Sequence, residues 1–445
     1  MELTEKAKYF AINAHKGQIR KSEPDKPMII HPISVGELLK EYGCDEQVIA
    51  AGFLHDVVED TSYTLEDIQR EFGEDIASLV KGASEPDKSL SWEERKAHTI
   101  AETKELPLRN KFVICADKIN NLEDLLLKFQ KSGVRDFSAF KRGEKSQNWY
   151  YKGVYEALIF NEDPNLPIFK RLKDVIEKVF DYQEDLYLKE TIFADHREYY
   201  ERLKRLHAQK IELQRLKALN ISQKPFVIEF TGTPRTGKTT TISNLYDFFK
   251  KGGFSVSVIE EFTTSSYYKE TFQKKYGNLS KGEINLAIME RVYNQLMEAL
   301  EMEKDIILID RSINDRQIWN YRCYQKGYLS ESQYNEYKSL YGHISHEFID
   351  FLVITYANAL TAVKRDYVKS LALEERRFIN EQNIEEYNNS LRKLRTFLET
   401  TTQNFLFLDT DYMNIDDTPI EVASQVLPLI RKKYIKNFEE RYHLK

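Results

Sequence analysis

The run Leu54-His55-Asp56-Val57-Val58-Glu59-Asp60-Thr61 concentrates groups that can do chemistry. It sets an adjacent His-Asp pair beside a second acidic pair. Read as one helix of about 3.6 residues per turn, it stacks His55 over Glu59 and Asp56 over Asp60, with Leu54, Val57 and Val58 as the apolar face. Carboxylates packed this closely need a cation or a proton to offset their repulsion, so the pattern predicts metal-assisted hydrolysis. Three further patches could complete such a site: Ala14-His15-Lys16-Gly17-Gln18-Ile19-Arg20-Lys21-Ser22, Ile29-Ile30-His31-Pro32, and Ile114-Cys115-Ala116-Asp117-Lys118-Ile119-Asn120-Asn121-Leu122. His31, His55, Asp56 and Asp117 would offer N and O ligands from three helices and leave coordination positions open for water and substrate. His15 reads as a packing or supporting residue rather than a ligand.

A second constellation lies far downstream. Phe226–Thr231 is an apolar, β-prone run, and it leads into Gly232-Thr233-Pro234-Arg235-Thr236-Gly237-Lys238-Thr239-Thr240, a G-x-x-x-x-G-K-T phosphate loop. Its glycines allow a tight turn, backbone N–H groups surround the phosphates of ATP, and the following helix presents its N-terminus to the anion. Lys238 would reach the β- and γ-phosphates and Thr239 the Mg²⁺. Asp310 ends the apolar run Ile306–Ile309, where a carboxylate would hold the Mg²⁺ shell. A guanine-selecting N-K-x-D motif and a tandem arginine-finger pattern are both missing from the sequence.

The elements that must position these groups differ between the two regions. From residue 1 to about 160, apolar residues recur at helical spacing and β-branched runs are scarce, predicting helices over Leu3–His15, Ile33–Tyr42, Asp45–Val58, Leu65–Glu71, Asp75–Lys81, Trp92–Glu102 and Leu108–Leu127. Residues 161–222 read as a charged helical connector. After Pro225, short β-rich runs alternate with helical patterns, the signature of a parallel sheet with helices on both faces. The predicted organisation is multidomain: an all-α hydrolase domain at 1–160, a helical connector at 161–222, and an α/β P-loop domain with a parallel five-stranded sheet at 223–445.

Composition sets outer bounds. The chain has 445 residues, 41% hydrophobic and 31% charged, with a net charge of −6. That balance gives no electrostatic footprint for nucleic acid, so an anionic substrate must be met by local basic groups. Cys44, Cys115 and Cys323 are few and far apart, which suggests a reducing compartment. Neither a signal-peptide pattern nor an apolar run of membrane-spanning length is visible, so a cytoplasmic protein without a membrane partner is expected.

The order H-x-G-Q-x-R-K-S, H-P, L-H-D-V-V-E-D-T and A-D-x-x-x-N resembles the HD-type hydrolase domain of the RelA/SpoT enzymes, over roughly residues 1–160. That family removes the 3′-pyrophosphate of the alarmone (p)ppGpp with manganese. The resemblance implies His31, His55, Asp56 and Asp117 as Mn²⁺ ligands, with Glu59 and Asp60 positioning or deprotonating the attacking water. It also implies Arg20, Lys21 and Ser22 on the nucleotide side, and Asn121 beside the ribose-phosphate. Where the family usually reads S-G-x-P-Y, this chain has Ser22-Glu23-Pro24-Asp25-Lys26-Pro27-Met28, longer and more acidic. Lys118 stands where an arginine is usual.

The second region resembles the deoxynucleoside and thymidylate kinase group. Glu260-Glu261-Phe262, Asp310-Arg311-Ser312 with Arg316, and the segment from Lys364-Arg365-Asp366 through Glu375-Arg376-Arg377 carry that likeness. It implies Glu261 at the acceptor hydroxyl, Asp310 and Arg311 near it, and Arg365, Arg376 and Arg377 as lid arginines that would neutralise the transferring phosphoryl group.

The expected protein is a bifunctional nucleotide enzyme that hydrolyses (p)ppGpp or a relative and transfers the γ-phosphate of ATP to a nucleoside or nucleotide. Two alternatives stay open: hydrolysis of (d)NTPs in nucleotide depletion or defence, and a P-loop domain that senses ATP without catalysis.

Overall fold

The structure, a computed structural model, describes residues 2–20, 23–84, 89–182, 188–219, 224–370 and 379–444. Lys21, Ser22, Arg376 and Arg377 lie outside the described residues. The chain divides into two units, Met1–Ile221 with Arg431–Lys445, and Ser222–Ile430.

The first unit is helical apart from one small hairpin. It comprises α1 (Leu3–Ala14), the antiparallel strands β1 (Ile19–Arg20) and β2 (Glu23–Pro27), then α2 (Ile30–Glu41), α3 (Glu46–Leu54), α4 (Val57–Asp60), α5 (Leu65–Phe72) and α6 (Glu74–Ala83). It continues with α7 (Trp92–Glu105), α8 (Leu108–Ser132), α9 (Gly143–Leu158), α10 (Pro167–Phe180) and α11 (Arg197–Ala218). The long helix α8 is the spine: α2, α3, α6, α10 and α11 all pack against it. Its Val113, Ile114, Ala116, Ile119 and Leu122 are buried, and a left-handed Gly133 ends it. Asp45 caps α3 by accepting from the Gln47 and Val48 N–H groups and also takes a bidentate pair from Arg109 of α8, which fixes where α3 starts. Helices α2 and α3 cross at Gly36 and Gly52, where a Cβ on Gly52 would come 3.2 Å from the Gly36 Cα. Only glycine lets the two histidine-bearing segments approach so closely.

The single helix expected over Asp45–Val58 is interrupted. Helix α3 stops at Leu54, His55-Asp56 form a turn, and α4 restarts at Val57. Asp56 has relaxed to ψ −10°. The Gly52 carbonyl, which would serve the Asp56 N–H in a continuous helix, accepts from His55 Nδ1 at 2.9 Å. The site chemistry therefore competes with the helix ladder, and the i, i+4 stacking of His55 over Glu59 does not run along one helix.

Residues 161–222 also differ from the expected connector. Helix α10 buries Phe169, Leu172, Val175, Ile176 and Val179, and α11 buries Leu206, Leu213 and Leu216, so both are walls of the first unit. Most of their charged residues form the outer face of amphipathic helices, while Lys210 and Glu212 of α11 are buried, Glu212 in ion pairs with Lys131 and Arg431.

The second unit contains β3 (Phe226–Gly232), α12 (Lys238–Lys251), β4 (Val256–Ile259), α13 (Gln273–Tyr276), α14 (Lys281–Leu300), β5 (Ile306–Asp310), α15 (Ile313–Gln325) and α16 (Glu331–Phe348). It is completed by β6 (Phe351–Tyr356), α17 (Ala359–Ser370), α18 (Glu381–Leu398), β7 (Phe405–Asp409) and α19 (Asp417–Arg441). The strands form one parallel sheet in the order β4-β5-β3-β6-β7, the five-stranded parallel sheet the sequence predicts. Met289, Val292 and Leu296 of α14 pack with Ile307 and Ile309, while Ile318 and Leu391 pack with Leu352 and Ile354. A sheet covered on both faces explains the unbroken apolar runs of β3 and β5. The carboxyl ends of β3, β4 and β5 carry the phosphate loop, Glu261 and Asp310, on either side of the point where strand order reverses. Helix α19 starts in this unit, but from Arg431 its residues belong to the first. The stretch expected as one domain, 223–445, is thus divided near its end. Among the described residues, no helix is long and apolar enough to cross a membrane.

Gly232 has φ +132°, and a Cβ there would lie 1.9 Å from the Thr355 carbonyl oxygen across the β3–β6 pair. Gly232→Ala is expected to cost the second unit at least about 2 kcal/mol, because backbone rather than a side chain must give way. Thermal unfolding with and without ATP reads this directly: the variant's transition should fall and lose its response to ATP.

Candidate active sites

In the first unit, two helices and one turn converge on a buried centre. His31 enters from the first turn of α2, Asp117 from the middle of α8, and His55 and Asp56 from the α3–α4 turn. Ligand atoms of His31, His55 and Asp117 all lie within 4.8 Å of one another. His31 Nε2 is 3.2 Å from Asp117 Oδ1 and 3.5 Å from Asp56 Oδ2, and His55 Nε2 is 3.1 Å from Asp56 Oδ1. The four residues expected as ligands are therefore brought together.

Both imidazoles are oriented from behind. His31 Nδ1 bonds Asn120 Oδ1 at 2.6 Å, and His55 Nδ1 bonds the Gly52 carbonyl. With Nδ1 donating, each Nε2 turns toward the carboxylates. His55 Nε2 is buried and makes no hydrogen bond. A lone pair facing carboxylate oxygens is repulsive unless a cation sits between them, so this donor set fits a divalent metal. Burial by itself lowers the basicity of His55, but without a cation the Asp56 and Asp117 carboxylates prevail and push it up to about 9, so a proton and a metal compete for the same Nε2. Burial likewise raises Asp117, yet the Lys118 ammonium at 2.7 Å and the two imidazoles hold its carboxyl well below the usual range.

Around the centre, Asn121 donates to Asp117 Oδ1 at 2.6 Å and accepts from Arg20, whose guanidinium also pairs with Asp124 at 3.0 Å. Glu59 is half-buried and Asp60 exposed. The Asp60 carbonyl accepts from Gln18, whose Oε1 bonds the buried His15. Sequence reasoning missed Asn120 and Lys96. Asp117, Asn120 and Asn121 stand at i, i+3 and i+4 of α8, so the helical period was the signal that could have found the first. Lys96 on α7 lies over the Tyr150 ring at 4.6 Å. Burial and then the Lys118 charge bring its ammonium down to about 8, against the pull of Asp117 and Glu59. No local pattern marks it, because α7 is remote in sequence.

In the second unit, the phosphate loop is built as its glycines require, with Gly237 at φ 84° before the 14-residue helix α12. Lys238 Nζ donates to the Gly232 and Thr233 carbonyls at 3.2 and 2.7 Å. Burial, then the nearby Arg311 charge, lowers the Lys238 ammonium to about 7. An anionic phosphate would reverse that penalty. Thr233 bonds Asn388, Thr236 bonds Thr355, Arg235 pairs with Asp366 at 2.6 Å, and Pro234 and Thr240 complete the loop and first helical turn. Thr239 Oγ1 donates to Asp310 Oδ2 at 2.9 Å, while Asp310 Oδ1 is buried without a partner. That pair fits a Mg²⁺ shell.

Glu261 and Arg311 do meet, at 3.4 Å. Arg311 has φ 62° and is buried, donating to Asp315 at 2.7 Å and to the Gly232 carbonyl at 3.0 Å. The strained loop that carries it is pinned by Glu229, which accepts from the backbone N–H groups of Ser312, Asn314 and Asp315. Arg365, expected as a lid arginine, donates its guanidinium to Thr410 at 3.0 and 2.6 Å, and the neighbouring Asp366 accepts from Arg235 of the phosphate loop.

Sequence models of two families match the chain, one described as HD domain over residues 7–137 and one as AAA domain over residues 227–390. Guanosine-3′,5′-bis(diphosphate) 3′-pyrophosphohydrolase MESH1 of Drosophila melanogaster is 40% identical over 118 residues, which is 26% of this chain and 65% of that protein. A probable guanosine-3′,5′-bis(diphosphate) 3′-pyrophosphohydrolase of Synechocystis is 52% identical over 79 residues, 18% of this chain and 10% of that protein. The chain therefore spans less than two thirds of the length of either relative. A solved structure titled as a metazoan ortholog of SpoT that hydrolyzes ppGpp and plays a role in starvation responses is 29% identical, covering 40% of this chain and 96% of that one, with a TM-score of 0.35.

Asn120→Ala removes the group that orients His31 without touching a ligand. Mn²⁺ affinity, measured by calorimetric titration of the full chain, is expected to fall about 10- to 100-fold, while ATP binding at the second unit is unchanged.

Proposed function

Starting from an HD domain at 7–137 and an AAA-type P-loop domain at 227–390, we propose that this protein is a bifunctional nucleotide enzyme. The first unit hydrolyses the 3′-pyrophosphate of (p)ppGpp or a closely related nucleotide. The observation that carries this reading is His55 Nε2, buried, unbonded and facing Asp56 and Asp117 in a chain whose relatives bear that activity in their names.

A divalent cation such as Mn²⁺, when bound by His31, His55, Asp56 and Asp117, supplies Lewis acidity at the scissile phosphate. The chain's own residues do the rest. Glu59 and Asp60 take the proton of the attacking water. The water oxygen bonds to the phosphorus nearest the ribose, the P–O3′ bond breaks, and the 3′ oxygen leaves with a proton as pyrophosphate is released. Lys118 and Lys96 neutralise charge on the departing pyrophosphate, and Arg20, Lys21, Ser22 and Asn121 hold the nucleoside side.

The second unit binds ATP with Mg²⁺ and transfers its γ-phosphate to a nucleoside or nucleotide, with Glu261 at the acceptor hydroxyl. Glu261 at the end of β4, ion-paired to Arg311 across from Asp310, supports this reading. A cytoplasmic setting accords with free cysteines and small nucleotide substrates.

Pyrophosphate release from ppGpp by the full chain with Mn²⁺ tests the first activity. His55→Ala should lower it at least about 1,000-fold while leaving ATP binding intact, and parallel loss of both would sink the two-site reading. For the second, Glu261→Gln should abolish phosphoryl transfer across a nucleoside panel with ATP affinity within about threefold of wild type. Wild-type protein that binds ATP and phosphorylates no acceptor would identify a sensor instead.

A further inference from the structure

The β1–β2 hairpin carries Arg20, and it is acidic where the sequence departs from the family it resembles. Its carboxylates are paired: Glu23 is half-buried and Asp25 exposed, and both meet cations of the first unit. Glu23 faces Lys26 at 3.2 Å, Lys131 of α8 at 3.4 Å and Arg431 of α19 at 3.4 Å, and Asp25 takes a hydrogen bond from Arg431. Arg431 Nε also donates to Glu212 of α11 at 2.7 Å, and Glu212 pairs in turn with Lys131 at 2.9 Å. On the other side of the hairpin, Lys26 approaches Asp124 of α8 at 3.7 Å, and Asp124 holds Arg20 and Arg215. One guanidinium thus ties the hairpin to α11, and a chain of charge pairs runs from it through Glu23, Lys26 and Asp124 to Arg20 and Asn121. All of these residues belong to the first unit.

Burial alone would raise both hairpin carboxyls. The Arg431 hydrogen bond and charge hold Asp25 below its ordinary range, and Lys26, Lys131 and Arg431 do the same for Glu23. Arginine suits this place because its fork can serve several carboxylates at once, which a lysine cannot match.

We propose that Arg431 is a positioning residue for the hydrolase site, clamping the acidic β1–β2 hairpin so that Arg20 is set for the nucleotide. The role rests on the nucleotide-hydrolase reading given above. It gives the acidic loop a purpose other than a change of substrate. Without Arg431, Glu23 keeps its lysines and Glu212 keeps Lys131, but Asp25 loses the cation it bonds, so the hairpin loosens while the metal ligands stay in place.

The test uses the full chain and two readouts. Amide hydrogen exchange over residues 19–28 is expected to speed up at least about fivefold in Arg431→Ala, with α8 unchanged. With ppGpp and Mn²⁺, the same variant should raise KM about tenfold, equivalent to about 1.4 kcal/mol, and keep kcat within about twofold. Arg431→Lys, which keeps a cation beside Glu212 and Glu23 but loses the fork, should give a KM between those of the wild type and Arg431→Ala, which a general loss of folding would not produce. Should Arg431→Ala unfold, Asp25→Asn carries the same prediction from the hairpin side with a smaller shift. Unchanged exchange and unchanged KM in these variants overturn the proposal. If the wild-type chain does not cleave ppGpp, the substrate reading falls, and the exchange experiment still decides whether the clamp exists.

Discussion

A negative charge on Asp117, buried in the middle of the longest helix of the first unit, is the constraint on which that unit depends. A carboxylate removed from water must be met by cations and donors, and here Lys118, Asn121, His31 and His55 converge on it. Convergence dictates the rest. Helices α2 and α3 must come close enough to bring both histidines to α8, which is why they meet at Gly36 and Gly52. The chain must also turn at His55, because a continuous helix would spend the Gly52 carbonyl on the backbone rather than on the imidazole. Structure and chemistry are therefore satisfied by the same few groups.

The second unit solves a similar problem with different parts. Glu229 and Asp315 are completely buried carboxylates, and neither contacts the phosphate loop as a ligand would. Glu229 holds the backbone N–H groups of Ser312, Asn314 and Asp315 after β5, and burial pushes its carboxyl up to about 7 despite those hydrogen bonds. Asp315 receives Arg311, Arg316 and Tyr387. Together they keep Arg311 in a left-handed backbone conformation with its side chain turned back onto the Gly232 carbonyl. The loop that follows Asp310 is thus held by side-chain hydrogen bonds of its own, a form of preorganisation in which buried side chains set the geometry at the end of β5.

The parts of this design that were legible in the sequence are those written in local pattern. The phosphate loop, the parallel sheet and the helical first half follow from glycine spacing, alternating β-rich and helical runs, and the 3.6-residue period. His31, His55, Asp56 and Asp117 could be collected because each sits in a short distinctive string. What escaped was set by tertiary packing. Asn120 was passed over for its neighbour Asn121, and Lys96 approaches the centre from a helix with no motif. The charged stretch at 161–222 misled for a physical reason: amphipathic helices that cap a core show as much charge as a solvated linker, and only the spacing of Phe169, Leu172, Val175, Ile176 and Val179 tells them apart.

The division of α19 bears on how the molecule comes into being. Tyr434, Ile435 and Phe438 are buried, and with Arg431 they belong to the unit whose other residues are made first. During synthesis, residues 1–221 emerge and wait while residues 222–430 are translated, before Arg431 and the residues after it can join them. At about 5–20 residues per second the interval is roughly 10–40 seconds. For that time the acidic hairpin is without its arginine and an apolar face of the helical core stands open on the ribosome. A premature stop just before Arg431 would make that transient state permanent, leaving a complete phosphate loop beside an unfinished metal-binding unit.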